Sequence, residues 1–105
     1  IPDDIPLHVV SIHLESNKIT TIGREAFSKF GNLISLSLQN NRISRIHHQA
    51  FEGLDQLETL NLESNQLEEV PKIQGLTSLL SLRLNDNTIR FIPEGSFRGM
   101  DRLSV

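Results

Sequence analysis

Three sets of residues in this chain have the types that chemistry uses. His13 and Ser37 come side by side once the chain's internal pattern is aligned, and Glu15 lies two residues along: a base, a hydroxyl and a carboxylate, as in nucleophilic hydrolysis. That reaction also needs donors arranged around an oxyanion and a cleft that excludes water. On an open surface the three are ordinary exposed polar residues, and no enzyme is expected. His47-His48 offers two imidazoles, but neighbours in a turn rarely aim both rings at one ion, and no acidic third ligand has the spacing. Glu15 and Glu63 share a column two units apart, roughly 9–10 Å at strand spacing, too far to share a proton or chelate an ion. They make a mildly acidic stripe, and no metal or cofactor is implied.

Composition narrows the partners. A chain of 105 residues holds one domain, so any function comes from a single scaffold. Thirteen acidic against ten basic residues give a formal charge of -3, with no basic block to meet phosphates, so nucleic acid is not an expected partner. No run approaches the roughly 18 apolar residues of a membrane span, so this segment is not expected to insert. The opening Ile1-Pro2-Asp3-Asp4-Ile5-Pro6 lacks the basic and apolar regions of a signal peptide, as in a mature or excised chain. Absence of Cys excludes disulfides and thiolate sites from these residues without placing the compartment. Five Phe and no Trp or Tyr argue against an ordinary aromatic-cored domain.

What positions the candidate residues is a repeat. Val9, Ile12, Leu14, Asn17 and Ile19 recur 24 residues later as Leu33, Leu36, Leu38, Asn41 and Ile43. The pattern returns as Leu57, Leu60, Leu62, Asn65 and Leu67, then as Leu79, Leu82, Leu84, Asn87 and Ile89. The units are 9–32, 33–56, 57–78 and 79–102, with 103–105 opening a fifth, all in one domain over 1–105. The third unit is 22 residues long, so its return segment is expected to be tighter, and its V-P-K-I-Q-G-L tail lacks the Phe present as Phe27, Phe51 and Phe97; Ile73 is expected to fill part of that place.

Alternation around Leu36 and Leu38 makes a short strand in each unit, apolar residues inward and Ser35, Ser37 and Gln39 outward. No unit can bury its apolar set alone, so successive units must stack with strands in parallel. Asn17, Asn41, Asn65 and Asn87 are polar in an otherwise apolar pattern, and a buried amide must be satisfied. A ladder of Asn side chains on neighbouring turn backbone would do so. Pro71, Pro93 and the glycines of the return segments predict turns and brief 3₁₀ pieces. Strict alternation turns Val10, Ile34 and Leu80 toward the core edge as packing residues. Phe91 is read as a lone surface side chain or as cover for the space left by the short third unit, with a contact anchor for a partner as the alternative.

The L-x-x-L-x-L-x-x-N-x-L units resemble the leucine-rich repeat family, and the 24-residue form with Ala26-Phe27 and Ala50-Phe51 resembles its typical extracellular type. The resemblance implies an α/β right-handed solenoid with a concave parallel sheet, a convex side rich in turns and 3₁₀ pieces, and little true helix. The I-P-x-x-I-P opening is similar to the stretch joining a cysteine-rich N-terminal cap to the first repeat, so residues 1–8 would be the tail of such a cap. An extracellular place, at the cell surface or secreted as part of a longer chain, follows from the resemblance alone.

On the concave sheet the outward columns are Ser11, Ser35, Thr59, Ser81; His13, Ser37, Asn61, Arg83; Glu15, Gln39, Glu63, Asn85; and Ser16, Asn40, Ser64, Asp86. About 16 to 20 such side chains approach one side of a standard protein interface. The candidate partner-binding residues are therefore His13, Glu15, Ser35, Ser37, Gln39, Thr59, Asn61, Glu63, Ser81, Arg83, Asn85 and Asp86. Arg83 is the best single anchor, against the plainer alternative of an ion pair with Asp86 or Glu63. The expected function is recognition of a protein ligand or co-receptor by the ectodomain of a receptor, adhesion protein or matrix protein. Self-association of the solenoid, or an intracellular scaffold, is the competing reading.

Overall fold

A computed structural model describes residues 4–100 and 102–105; Ile1-Pro2-Asp3 of the cap-like opening and Asp101 lie outside the described residues. Each L-x-L segment forms a three-residue strand: β1 (Ser11–His13), β3 (Ser35–Ser37), β5 (Thr59–Asn61) and β6 (Ser81–Arg83). They pair in parallel in the order β1-β3-β5-β6, with Ile12, Leu36, Leu60 and Leu82 in one register line. Those four side chains are buried under the sheet, as are Leu33, Leu57 and Leu79, so the core is a stack of identical layers. The two residues missing from the third unit leave this register intact, because Asn61 still pairs with Arg83; the shortening falls on the return side.

On the return side β2 (Thr21–Ile22) and β4 (Arg45–Ile46) form a separate parallel pair. The remaining return chain runs in turns closed by short bonds, such as Phe30 N–H to the Phe27 carbonyl at 2.9 Å and Leu33 N–H to the Phe30 carbonyl at 3.0 Å. The solenoid stands, and its expected 3₁₀ pieces are replaced by isolated turns: no helix forms among the described residues, hence none long and apolar enough to cross a membrane. The Phe27 and Phe51 rings stack with centroids 6.4 Å apart, and the third unit places buried Ile73 next along the return side.

The corner after each strand explains how the Asn turns inward. Ser16, Asn40, Ser64 and Asp86 all have φ between 56° and 60°, the left-handed region that crowds a Cβ against the following carbonyl. Each stands immediately before a repeat Asn. Ser64→Val is expected to cost about 1–2 kcal/mol, whereas Ser64→Gly should leave the urea midpoint unchanged or higher. Equal losses from the two variants would remove the left-handed corner as the reason.

The expectation for Val10, Ile34 and Leu80 fails. They are 51%, 37% and 39% exposed, on the rim where the chain enters the sheet. The Val10 carbonyl accepts both Ile34 N–H at 2.7 Å and Ser35 N–H at 3.1 Å, and the Ile34 and Glu58 carbonyls each take two consecutive donors likewise. Two donors converging on one acceptor kink the chain as a bulge does, so the alternation begins one residue later and this column faces out.

Candidate functional site

The outward columns assemble on the four-stranded sheet, but only two of them lie within the strands. His13, Ser37, Asn61 and Arg83 close the strands. Glu15, Gln39, Glu63 and Asn85 stand just beyond, kept in line by Leu14, Leu38 and Leu62 N–H donating to the Ser37, Asn61 and Arg83 carbonyls, each at 2.9 Å. Asp86 sits apart from them at its left-handed corner. Thr59 Oγ1 donates to Ser35 Oγ at 2.9 Å, and Glu63 N–H donates to Asn61 Oδ1 at 3.0 Å, so these side chains are positioned before any ligand arrives.

Arg83 Nε lies 3.7 Å from Glu63 Oε1 with its side chain 61% exposed, so the plainer alternative of an ion pair is present. In water such a pair contributes about 0–1 kcal/mol, and the guanidinium can exchange it for a partner's carboxylate at little cost. Among the described residues, Glu15 Oε2 and Gln39 Oε1 are buried acceptors without a donor. Their residues are neighbours across the first two units, where Ser16 N–H donates to the Gln39 carbonyl at 3.0 Å.

The hydrolase-like set rearranges. The hydroxyl beside His13 belongs to Ser11, with Oγ 3.0 Å from Nε2, while Nδ1 lies 3.6 Å from Glu15 Oε2. The order resembles a Ser-His-acid relay. However, 3.6 Å is beyond hydrogen-bond reach, and His13 is 63% exposed, so no water-excluded site forms around it. p-Nitrophenyl acetate should be cleaved no faster by the parent than by His13→Ala; a clear deficit in the variant would restore the enzyme reading.

The His47 and His48 rings stack 4.3 Å apart at 23°, with His47 Nδ1 accepting Gln49 N–H at 3.0 Å. Face-to-face rings cannot converge their nitrogens on one ion. No group of three metal-ligating side chains comes together among the described residues.

The ladder residues sit beneath this face. Asn41 Nδ2 donates to the Leu14 and Leu38 carbonyls, both at 3.0 Å, and its Oδ1 accepts Ile19 N–H at 3.2 Å. Asn65 repeats this on Leu38, Leu62 and Ile43, and Asn87 on Leu62, Leu84 and Leu67. Asn17 is exposed and, among the described residues, bonds to the Leu14 and Glu15 carbonyls of its own turn.

The rim column is what residue-by-residue reading missed. Its signal was present: paired apolar residues at 9–10, 33–34 and 79–80 cannot both face one core, and Glu58 occupies the same column in the third unit. Phe91 is 73% exposed and is not among the residues bordering the space beside the short unit.

A family model for the leucine rich repeat matches residues 8–67. Comparison with curated proteins returns no match. Among solved structures, the chain is similar to TLR13 as seen in the TLR13-ssRNA13 complex, with 34% sequence identity and a TM-score of 0.88. That likeness covers 95% of this chain and 14% of the TLR13 chain.

Proposed function

The chain belongs to the leucine-rich repeat family, and from that premise we propose that it recognises a protein ligand or co-receptor through its sheet face, as part of an extracellular receptor, adhesion protein or matrix protein. The observation that carries the reading is the exposed rim of Val10, Ile34 and Leu80 alongside the polar columns. Apolar anchors bordered by prearranged polar groups are how protein interfaces are built. The polar columns alone would serve solubility equally well. A rigid sheet loses little conformational entropy on docking, so the mechanism is passive presentation.

The TLR13 structure contains ssRNA13, so the case against nucleic acid rests on this chain's own charge of -3 and its lack of a basic block. The chain is to be displayed against an array of extracellular proteins and, in parallel, single-stranded RNA. Two variants accompany it: Ser37→Ala with Asn61→Ala and Arg83→Ala, and Ile34→Glu with Leu80→Glu, each checked by circular dichroism. Capture of a protein by the parent, lost in both folded variants, supports the reading. Equal capture by all three moves the site off this face, and RNA capture that falls steeply with salt replaces the protein ligand.

Self-association is the second reading, favoured by the adjacent Phe91 and Ile92, which are 73% and 57% exposed. A sedimentation coefficient that rises with concentration, and stops rising in Phe91→Ser with Ile92→Ser, would make it the leading one.

A further inference from the structure

The short third unit interrupts the backbone pairing on the return side. Between the first two units that pairing is continuous: Ser44 N–H bonds to the Thr20 carbonyl, β2 pairs with β4, and His47 N–H bonds to the Ile22 carbonyl, the two flanking bonds at 2.9 Å. Between the second and third units it ends at Gln66 N–H to the Ile43 carbonyl, after which the chain bends at Glu68 and Glu69. Pro71 follows with no N–H to give, and Gln74 Nε2 donates forward to the Ser96 carbonyl at 3.2 Å. β4 is therefore paired on one side only.

Its open edge borders three adjoining depressions of 580, 490 and 540 Å³. The first two share Ile46, His47, Glu69 and Pro71, and the last two share His48, Lys72 and Gln74, so they form one groove. Its far end is floored by Phe51, Ile73 and Leu76, where the smaller Ile leaves room. The charged lining is Glu52, Asp55, Glu68, Glu69 and Glu94 against Arg45 and Lys72.

We propose that this groove docks an extended, basic polypeptide segment of a partner protein, added as a strand to the free edge of β4. An unpaired strand edge offers N–H and C=O groups in the spacing of another backbone, which selects polypeptide over nucleic acid or sugar. The excess of carboxylates selects Lys and Arg, and the apolar floor takes an uncharged side chain between them. A second copy of this chain, itself at -3, would meet the groove with like charge. The surface lies on the return side, so it stands or falls independently of the sheet-face reading.

The test is an NMR titration of the isotope-labelled chain with an octapeptide of alternating lysine and valine. Two controls accompany it: the glutamate-valine counterpart, and a lysine-valine peptide N-methylated at alternate residues. The lysine-valine peptide should shift the amides of Arg45, Ile46 and Glu69 while leaving Ser35–Ser37 unmoved. Both controls should bind at least tenfold more weakly. Glu68→Lys with Glu69→Lys, changes at exposed bends that preserve the fold, should reverse the charge preference. Equal binding of the N-methylated peptide would overturn strand addition, equal binding of the acidic one would overturn the charge argument, and shifts centred on the sheet face would overturn the site.

Discussion

Asn65→Ala is expected to lower stability by about 2–4 kcal/mol, most of it from leaving the buried Ile43 N–H without its acceptor. For a domain of this size that corresponds to a fall in Tm on the order of 15 °C. The reasoning follows the bonds one by one. Asn65 is 8% exposed, and its Oδ1 takes the Ile43 N–H at 3.0 Å. Its Nδ2 serves the Leu38 and Leu62 carbonyls, but Asn41 also donates to Leu38 and Asn87 also donates to Leu62. Each carbonyl thus keeps one donor in the single variant. Removing Asn41 and Asn65 together strips the Leu38 carbonyl of both, so the double variant should cost more than the two singles added, by about 1–2 kcal/mol of coupling. Asn17→Ala is the control: its exposed amide holds only its own turn, and the loss should stay below about 1 kcal/mol. Thermal and urea denaturation of the parent and the four variants decides it; equal losses for Asn17 and Asn65, or strict additivity of the pair, would refute a shared ladder.

The parts of this molecule legible in the sequence are those dictated by period. Leu36 and Leu38 had to lie on one face, and Asn41 had to meet backbone, because both statements follow from alternation and the cost of burying an unpaired amide. The rim column escapes periodicity because a bulge obeys no period: Val10 and Val9 are chemically alike, and only the doubled acceptor at the Val10 carbonyl tells which turns outward. Strand register brings the Ser37 hydroxyl beside His13 across the sheet, whereas the rotamer of His13 reaches Ser11 along its own strand. Rotamers are set by crowding that the order of residues does not display. The missing two residues of the third unit were visible, but their consequence was not. Shortening predicts a return chain drawn tight against its neighbour, whereas the bends at Glu68 and Glu69 with the forward bond of Gln74 open a gap instead.

That gap makes the two stacked Phe residues unequal, and the inequality is measurable. Phe27 is fully buried between the first and second units, so Phe27→Ala leaves a sealed void and should cost about 3–5 kcal/mol. Phe51 is nearly as buried at 4% exposure, yet one side of it borders the groove beside the third unit. Phe51→Ala therefore enlarges a space that water already enters, and the cavity part of the penalty shrinks. A loss smaller than that of Phe27→Ala by about 1 kcal/mol is expected. Hydrogen exchange separates the layers further. Both variants loosen the return side, so the His47 amide, which closes the β2–β4 pair, should exchange faster, while the Leu38 amide under the sheet keeps its protection. If Phe51→Ala costs as much as Phe27→Ala, the space beside the third unit is closed in solution, and no groove is available for a partner's strand. If it costs less and the sheet amides hold, the return side can yield without disturbing the sheet face, which is the independence that the two proposed binding surfaces require.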